Sequence, residues 1–204
     1  MTPHAPELRE GDIDAFFEAP FRAYGASSLY VSPLASDLRR FLDERRNPLF
    51  ARFGARRFYT AHRDGHVTGR DDLALLVIVA DCLPVALSDG ERVAMVHCGW
   101  RGLAGGVLAN AIAHLDTAPA AAVGPGIGPC CYEVGDEVRE QFDARFANGR
   151  MLDLRAIADA SLRAAGIEPI EHVDLCTSCR EDLFFSHRRD GGVTGRQGGL
   201  VWRT

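Results

Sequence analysis

The chain has 204 residues, 47% of them hydrophobic, and a formal net charge of -5, which suits one soluble globular domain with a sizeable core. Its acidic balance excludes a general attraction to nucleic acid or an anionic membrane, so any anion site must be local. No apolar run approaches the roughly 18 residues needed to span a bilayer, and the N-terminal MTPHAPELREGD lacks a basic-then-apolar signal. The expectation is a cytoplasmic protein whose six cysteines are reduced and serve as ligands, nucleophiles or packing.

Residues 1–12 are polar and proline-containing, and predict a loose lead or a short edge strand. Residues 21–27 read as a loop carrying Arg22. Between Pro33 and Phe53, Leu34, Leu38, Phe41, Leu42 and Leu49 recur among charges and predict an amphipathic helix broken before Pro48. Phe58 to Ala61 predicts an incoming strand, with His62 and His66 just beyond it.

The stretch from Leu73 to Asn110 is the richest. Its apolar run Leu73 to Ala80 predicts a strand buried on both faces, ending in Asp81-Cys82. Pro84 to Leu87 and Arg92 to Val96 predict two strands joined at Ser88-Asp89-Gly90, because Asp-Gly supplies the backbone angles of a tight turn. The second of them runs into His97-Cys98-Gly99-Trp100-Arg101-Gly102, after which Leu103, Val107, Leu108 and Ala111 or Ile112 recur at helical spacing. Cys82 and His97 are thus presented at strand ends, where a thiolate and an imidazole could bind zinc or copper, while the Gly102 end of the helix offers an anion site. The competing reading is a small core cysteine and a satisfied core histidine.

Further on, Ala121 to Val123 predicts a short strand, and the Gly/Pro-rich Gly124 to Gly135 forces turns without the Gly-Lys-Ser/Thr of a phosphate loop. Cys130 and Cys131 are adjacent, so in an extended backbone they face opposite ways and are not expected to serve one metal. Glu133 to Phe146 predicts a helix with Val134, Val138, Phe142 and Phe146 on one face. Asp153 to Ala165 predicts another, stopped by Gly166. Ile167 to Val173 and Leu200 to Trp202 predict strands. Cys176-x-x-Cys179 between them has no second pair to complete a zinc knuckle. Arg188, Arg189 and Arg196 lie on glycine-rich turns, where they could grip an anion or form structural ion pairs beside Asp190.

Four blocks, ADCLPVAL from Ala80, VHCGWRGLAGGVL from Val96, GPGIGPCCYEVGDEV from Gly124, and DLCTSCREDLFFSHRRDGGVTGRQGGLVW from Asp174, carry a resemblance. Together they resemble the bacterial laccase-domain family, multicopper-oxidase-like proteins also described as purine nucleoside phosphorylases and, in one branch, as a peptidoglycan editing factor. The resemblance implies an α+β fold, with mixed β-sheets in a single layered domain over residues 1–204 and flanking helices. It also implies a zinc site of two His and one Cys. Cys82 and His97 match two of these ligands, and His62 matches the third, with His66 as the alternative because the family's spacer in this region is missing. These three are the expected metal-binding and catalytic residues, with copper as the other candidate metal. Arg22 falls in register with a substrate-site arginine of the family, although Tyr24 replaces a glycine there, and Cys131 and Tyr132 are implied to lie close to substrate.

The implied activity is phosphorolysis of adenosine, inosine and S-methyl-5'-thioadenosine, with Arg22 and Arg101 holding phosphate and hydrolytic deamination of adenosine as a side activity. Three alternatives fit less well. A copper polyphenol oxidase needs several coppers and His-x-His pairs, and the seven histidines include no such pair. An amidase editing misincorporated peptidoglycan precursors would use Cys82 or zinc hydroxide as nucleophile. A non-catalytic module would use zinc only for stability.

Overall fold

The computed structural model describes residues 65–203 except 72, 117 and 118, together with the backbone of two strands, β1 (Arg9–Gly11) and β2 (Phe58–Thr60). These two pair antiparallel, Arg9 opposite Thr60, so the edge strand near the N-terminus and the strand before His62 both form. The helix expected over residues 33–53 lies outside the described residues.

The molecule is organised around a five-stranded mixed sheet in the order β10-β7-β5-β6-β3. Its members are β3 (Gly65–Thr68), β5 (Leu83–Ser88), β6 (Val93–Cys98), β7 (Ala120–Val123) and β10 (Ile170–His172). β10 runs parallel to β7, and the other neighbours are antiparallel. The β5–β6 hairpin forms as its turn chemistry requires: Gly90 takes φ 91°, and the Asp89 carboxylate accepts the N–H groups of Glu91 and Arg92 at 2.9 and 2.6 Å.

Alternation along β5 and β6 sorts the side chains into two layers. Leu83, Val85, Leu87, Ala94, Val96 and Cys98 are buried beneath the helices, with Leu103, Leu108, Leu154, Ile157 and Leu162. On the opposite face Met95, Val93 and Ala86 pack with Leu75, Val77 and Val79, which belong to a separate two-stranded ribbon, β4 (Leu75–Val79) against β11 (Gln197–Val201). The architecture is therefore α+β, with mixed sheets flanked by helices. β4 departs from the expectation of burial on both faces, since Leu76 and Ile78 are only half-buried. A ribbon strand that packs on the sheet by one face needs only alternate apolar positions inside.

Two expected helices are also corrected. The one after His97 is split into α1 (Trp100–Ala104) and α2 (Val107–Ile112), because Gly106 enters the left-handed region at φ 73°. The first begins at Trp100 rather than Gly102 and has only five residues, too short to aim a useful dipole at an anion. Between Glu133 and Phe146 only α3 (Asp136–Arg139) and a 3-10 turn (Ala144–Phe146) form. Glu133 instead bridges to Met151, the first residue of β9 (Met151–Leu152), which pairs antiparallel with β8 (Ala147–Asn148), and the Val134 N–H donates to the Arg150 carbonyl at 2.9 Å. The apolar spacing still does its packing work: Val134 and Val138 are buried, and Phe142 and Phe146 lean on the same core.

The helix α4 (Leu154–Ala164) forms nearly as the sequence predicts. Asp153 caps it by accepting the N–H groups of Arg155 and Ala156, both at 3.0 Å, which satisfies two donors that the first turn leaves unpaired. Leu154, Ile157, Ala158 and Leu162 point into the core, and Gly166 at φ 77° ends the run. The strands expected at Ile167 to Val173 and Leu200 to Trp202 appear as β10 and β11, with shifted ends.

Candidate metal and substrate site

Cys82 stands just ahead of β5 and His97 is the penultimate residue of β6. In the ladder Pro84 opposes His97 and Leu83 opposes Cys98, so Cys82 and His97 share the ribbon-facing side at one end of the hairpin. Their donor atoms converge on Gly99. A methyl group added there would stand 2.9 Å from Cys82 Sγ and 3.9 Å from His97 Nε2, so both donor atoms can lie this close to residue 99 because it has no side chain. A sulfur and an imidazole nitrogen facing one gap match the donor types of zinc, which takes Zn–S bonds of about 2.3 Å and Zn–N bonds of about 2.0–2.1 Å.

The third expected ligand, His62, lies outside the described residues, as does Arg22. His66 sits on β3 opposite Met95, and burial pushes its pKa down. Among the described residues, His66 does not group with Cys82 and His97 as a set of three metal donors.

Asp81 organises the loops around this gap, a role the sequence reading missed. It is buried, and its carboxylate accepts the Thr177 hydroxyl at 2.6 Å and the Arg188 N–H at 2.8 Å. Its carbonyl accepts the Ile127 N–H at 2.9 Å. One residue therefore ties the end of β4 to the Gly/Pro-rich segment and to both C-terminal loops, immediately beside Cys82. The signal in the sequence is an acidic residue closing an otherwise apolar run, which is seldom buried unless paired.

The arginines divide by use. Arg101 lies with its guanidinium 4.2 Å from the Trp100 ring centroid, and Arg188 stacks 5.2 Å from that of Tyr132 while donating to the Glu133 carbonyl at 2.6 Å. The Tyr132 hydroxyl is pushed up to about 12, first by burial, then by the charge of Cys82, against the opposing pull of Arg188 and Arg101. Tyr132, Cys82, Arg101 and Arg188 thus share one electrostatic neighbourhood. Arg189 takes the structural alternative: it pairs with Asp190 at 2.7 Å and donates to the carbonyls of Thr177, Ser178 and Phe184. Arg196 donates to the carbonyls of Thr194 and Gly195. Those two hold loops together rather than presenting a free anion grip.

Cys131 lies in a turn, with its N–H and that of Tyr132 both donating to the Gly128 carbonyl at 3.0 Å. The backbone is curled here, not extended, which overturns the expectation that Cys130 and Cys131 must face apart. Their thiols meet those of Cys176 and Cys179, and the four sulfurs all lie within 4.8 Å of one another. Burial pushes the Cys176 thiol up, but the N–H groups of Gly128 and Cys179, with hydrogen bonds from the thiols of Cys130 and Cys179, together outweigh it and draw the thiol down to about 7.

A mixed α+β sheet with Cys and His at adjacent strand ends and the Gly/Pro-rich segment alongside defines the class, and the chain belongs to the multi-copper polyphenol oxidoreductase laccase family, whose model matches residues 42–204. It is 39% identical over 181 residues to the purine nucleoside phosphorylase YlmD of Geobacillus stearothermophilus, covering 74% of this chain and 64% of that protein. Against the purine nucleoside phosphorylase YfiH of Escherichia coli it is 39% identical over 141 residues, covering 62% and 58%. Crystal structures of a Neisseria meningitidis protein and of YlmD from Geobacillus stearothermophilus share the fold, with TM-scores of 0.64 and 0.61 at 37% and 35% identity. Each match covers 69% of this chain, and 64% and 61% of the respective structures. The chain therefore spans somewhat less than two thirds of the length of these relatives.

Proposed function

We propose that the chain is a zinc-dependent purine nucleoside phosphorylase, acting in the cytoplasm as one domain on adenosine, inosine and S-methyl-5'-thioadenosine. The observation that carries this reading is the convergence of Cys82 Sγ and His97 Nε2 on the gap at Gly99, in a chain whose relatives bear the phosphorylase name. Cys82, His97 and His62 would hold the metal. Zinc bound there would supply Lewis acidity and lower the pKa of a coordinated water to about 7, the chemistry that deamination of adenosine requires.

The chain's own groups then divide the work of phosphorolysis. Arg101 and Arg22 hold phosphate, and the turn of Cys131 and Tyr132 borders the nucleoside. A phosphate oxygen attacks the anomeric carbon of the ribose, the carbon–nitrogen bond to the base breaks, and the base leaves with the bonding pair and takes up a proton. Tyr132 stays protonated through the neutral range, so its hydroxyl is available to donate a hydrogen bond to a ring nitrogen or a sugar oxygen.

The test is base release from adenosine and inosine by protein purified without added metal, with and without phosphate, beside a metal analysis of the same preparation. Phosphate-dependent release with sugar 1-phosphate as co-product supports the reading. Release that ignores phosphate means hydrolysis, and no release from any purine nucleoside, with amide cleavage or oxygen uptake on a phenol instead, replaces it with the amidase or the oxidase.

A further inference from the structure

We propose that Cys130, Cys131, Cys176 and Cys179 form a second metal site, a closed four-thiolate zinc site that staples the Gly/Pro-rich turn to the loop after β10. The first argument is spacing. Four sulfurs at 2.3 Å from a central zinc stand roughly 3.8 Å apart along the edges of a tetrahedron. Cys179 Sγ lies 3.5 Å from Cys130 Sγ and 3.4 Å from Cys131 Sγ, and no pair in the quartet exceeds 4.8 Å. A disulfide needs about 2.05 Å, so the arrangement suits a shared central ion better than either pairing.

The second argument is the surroundings. The Gly128 N–H donates to Cys176 Sγ at 3.2 Å, the kind of outer contact that orients a thiolate ligand. Four thiols that bind one zinc ion release four protons to solvent and leave a site of net charge -2. The guanidinium of Arg189, its charge paired with Asp190, donates to the carbonyls of Thr177 and Ser178 and so holds the backbone between Cys176 and Cys179. Cys130 and Cys179 are exposed while Cys131 and Cys176 are half-buried, which leaves an entry path and a sheltered inner edge.

The third argument is what the staple would hold. Thr177, between the ligands, donates its hydroxyl to Asp81, and its N–H to the Gly126 carbonyl at 3.1 Å. Asp81 in turn adjoins Cys82. A metal at the quartet therefore fixes the wall of the first site without entering it. It takes the thiol of Cys131 and leaves that turn's backbone and Tyr132 to the substrate.

Zinc K-edge absorption on the whole protein, with its metal content, tests the proposal independently of any nucleoside assay. In the His97→Ala protein, which lacks the first site, the expected result is one zinc per chain with four sulfurs at about 2.3 Å and no nitrogen. The double variant Cys130→Ser, Cys179→Ser should lose that zinc and keep the other. Should the His97→Ala protein fail to fold, the unaltered protein decides. An average of about two or more sulfurs per zinc supports a thiolate-rich second site, whereas about one sulfur per zinc overturns it. A disulfide among the four cysteines, found by peptide mapping without reduction, also overturns it. Absence of phosphorolysis in the unaltered protein, with a sulfur-rich shell intact, would count against the proposed activity and not against this site.

Discussion

Cys82 with His97 and the cysteine quartet are two sets of soft donors held by opposite means. The first set is fixed by a hairpin whose other face is buried under helices, so Leu83 and Val96 position the donors as a by-product of making the core. The quartet is held by turns and loops, with Cys130 and Cys179 49 residues apart and both exposed. A strand-held donor pair inherits its rigidity from the fold, whereas loops of this kind gain theirs from whatever joins them. Changes in the core should therefore lower global stability and spare both sets, and changes at Asp81, the bridge between them, should damage stability and ligation together.

The largest effect is expected at the strand-held pair. Cys82→Ser and His97→Ala each remove a donor, and metal affinity at this site should fall by more than the roughly 10- to 100-fold typical of outer-contact changes. Base release should go with it, and metal analysis with an activity assay checks both. Leu162→Ala marks the other side of the comparison. Leu162 is fully buried in α4, and truncation should cost about 2–5 kcal/mol in urea unfolding with no change in metal content. If Leu162→Ala also lost the metal, the strands would not be as independent a support as argued.

Asp81→Ala should combine the two outcomes. It removes two hydrogen bonds to a carboxylate and leaves the buried Thr177 hydroxyl unpaired, a loss of about 3 kcal/mol given the usual 1.5–3 kcal/mol for bonds to charged groups. Because the same residue adjoins Cys82, metal retention should fall too. Gly99→Ala is smaller and more selective. Its methyl group would stand 2.9 Å from Cys82 Sγ, so the thiol must shift, and metal affinity should drop by about 10- to 100-fold while the unfolding midpoint moves little. Equal metal affinity in this variant would mean that the gap at Gly99 is not where the ion sits.

The strand-held pair was legible in the sequence because Cys82 precedes and His97 follows the two apolar runs joined by one Asp-Gly turn, and alternation then puts them on one face. The quartet was not. Adjacent cysteines predict opposite faces only if the chain is extended, and the Gly128 carbonyl, by accepting two N–H groups, curls residues 128–132 into a turn. The contrast between α4 and residues 133–146 has the same cause. Both have helical apolar spacing, but α4 has Asp153 to start it and Gly166 to stop it. In the other segment Gly135 is extended, at φ -77° and ψ 169°, and Glu133 is drawn into a bridge. Periodicity reported which residues are buried in both segments, and it reported the helix only where the caps agreed.

The smallest expected effect concerns His66, the alternative third ligand, which sits on β3. Burial lowers its pKa below the ordinary value of 6.5, so the folded state holds the imidazole neutral at a pH where the unfolded chain has begun to protonate it. The stabilising contribution is fully present above the unfolded value, and it is lost as pH falls from there through the lower folded value. Urea midpoints taken between pH 7.5 and pH 5 should therefore decline with acidity more steeply in the unaltered protein than in His66→Gln, which cannot titrate. The comparison also separates the two candidate third ligands. A His66 that held zinc would be kept neutral by the metal, and its replacement would lower metal content; a His66 that is only buried would change the pH slope and leave the metal in place. Zinc lost from His66→Gln would return the third position to His66, whereas parallel pH slopes in the two proteins would mean that the fold does not hold this imidazole neutral.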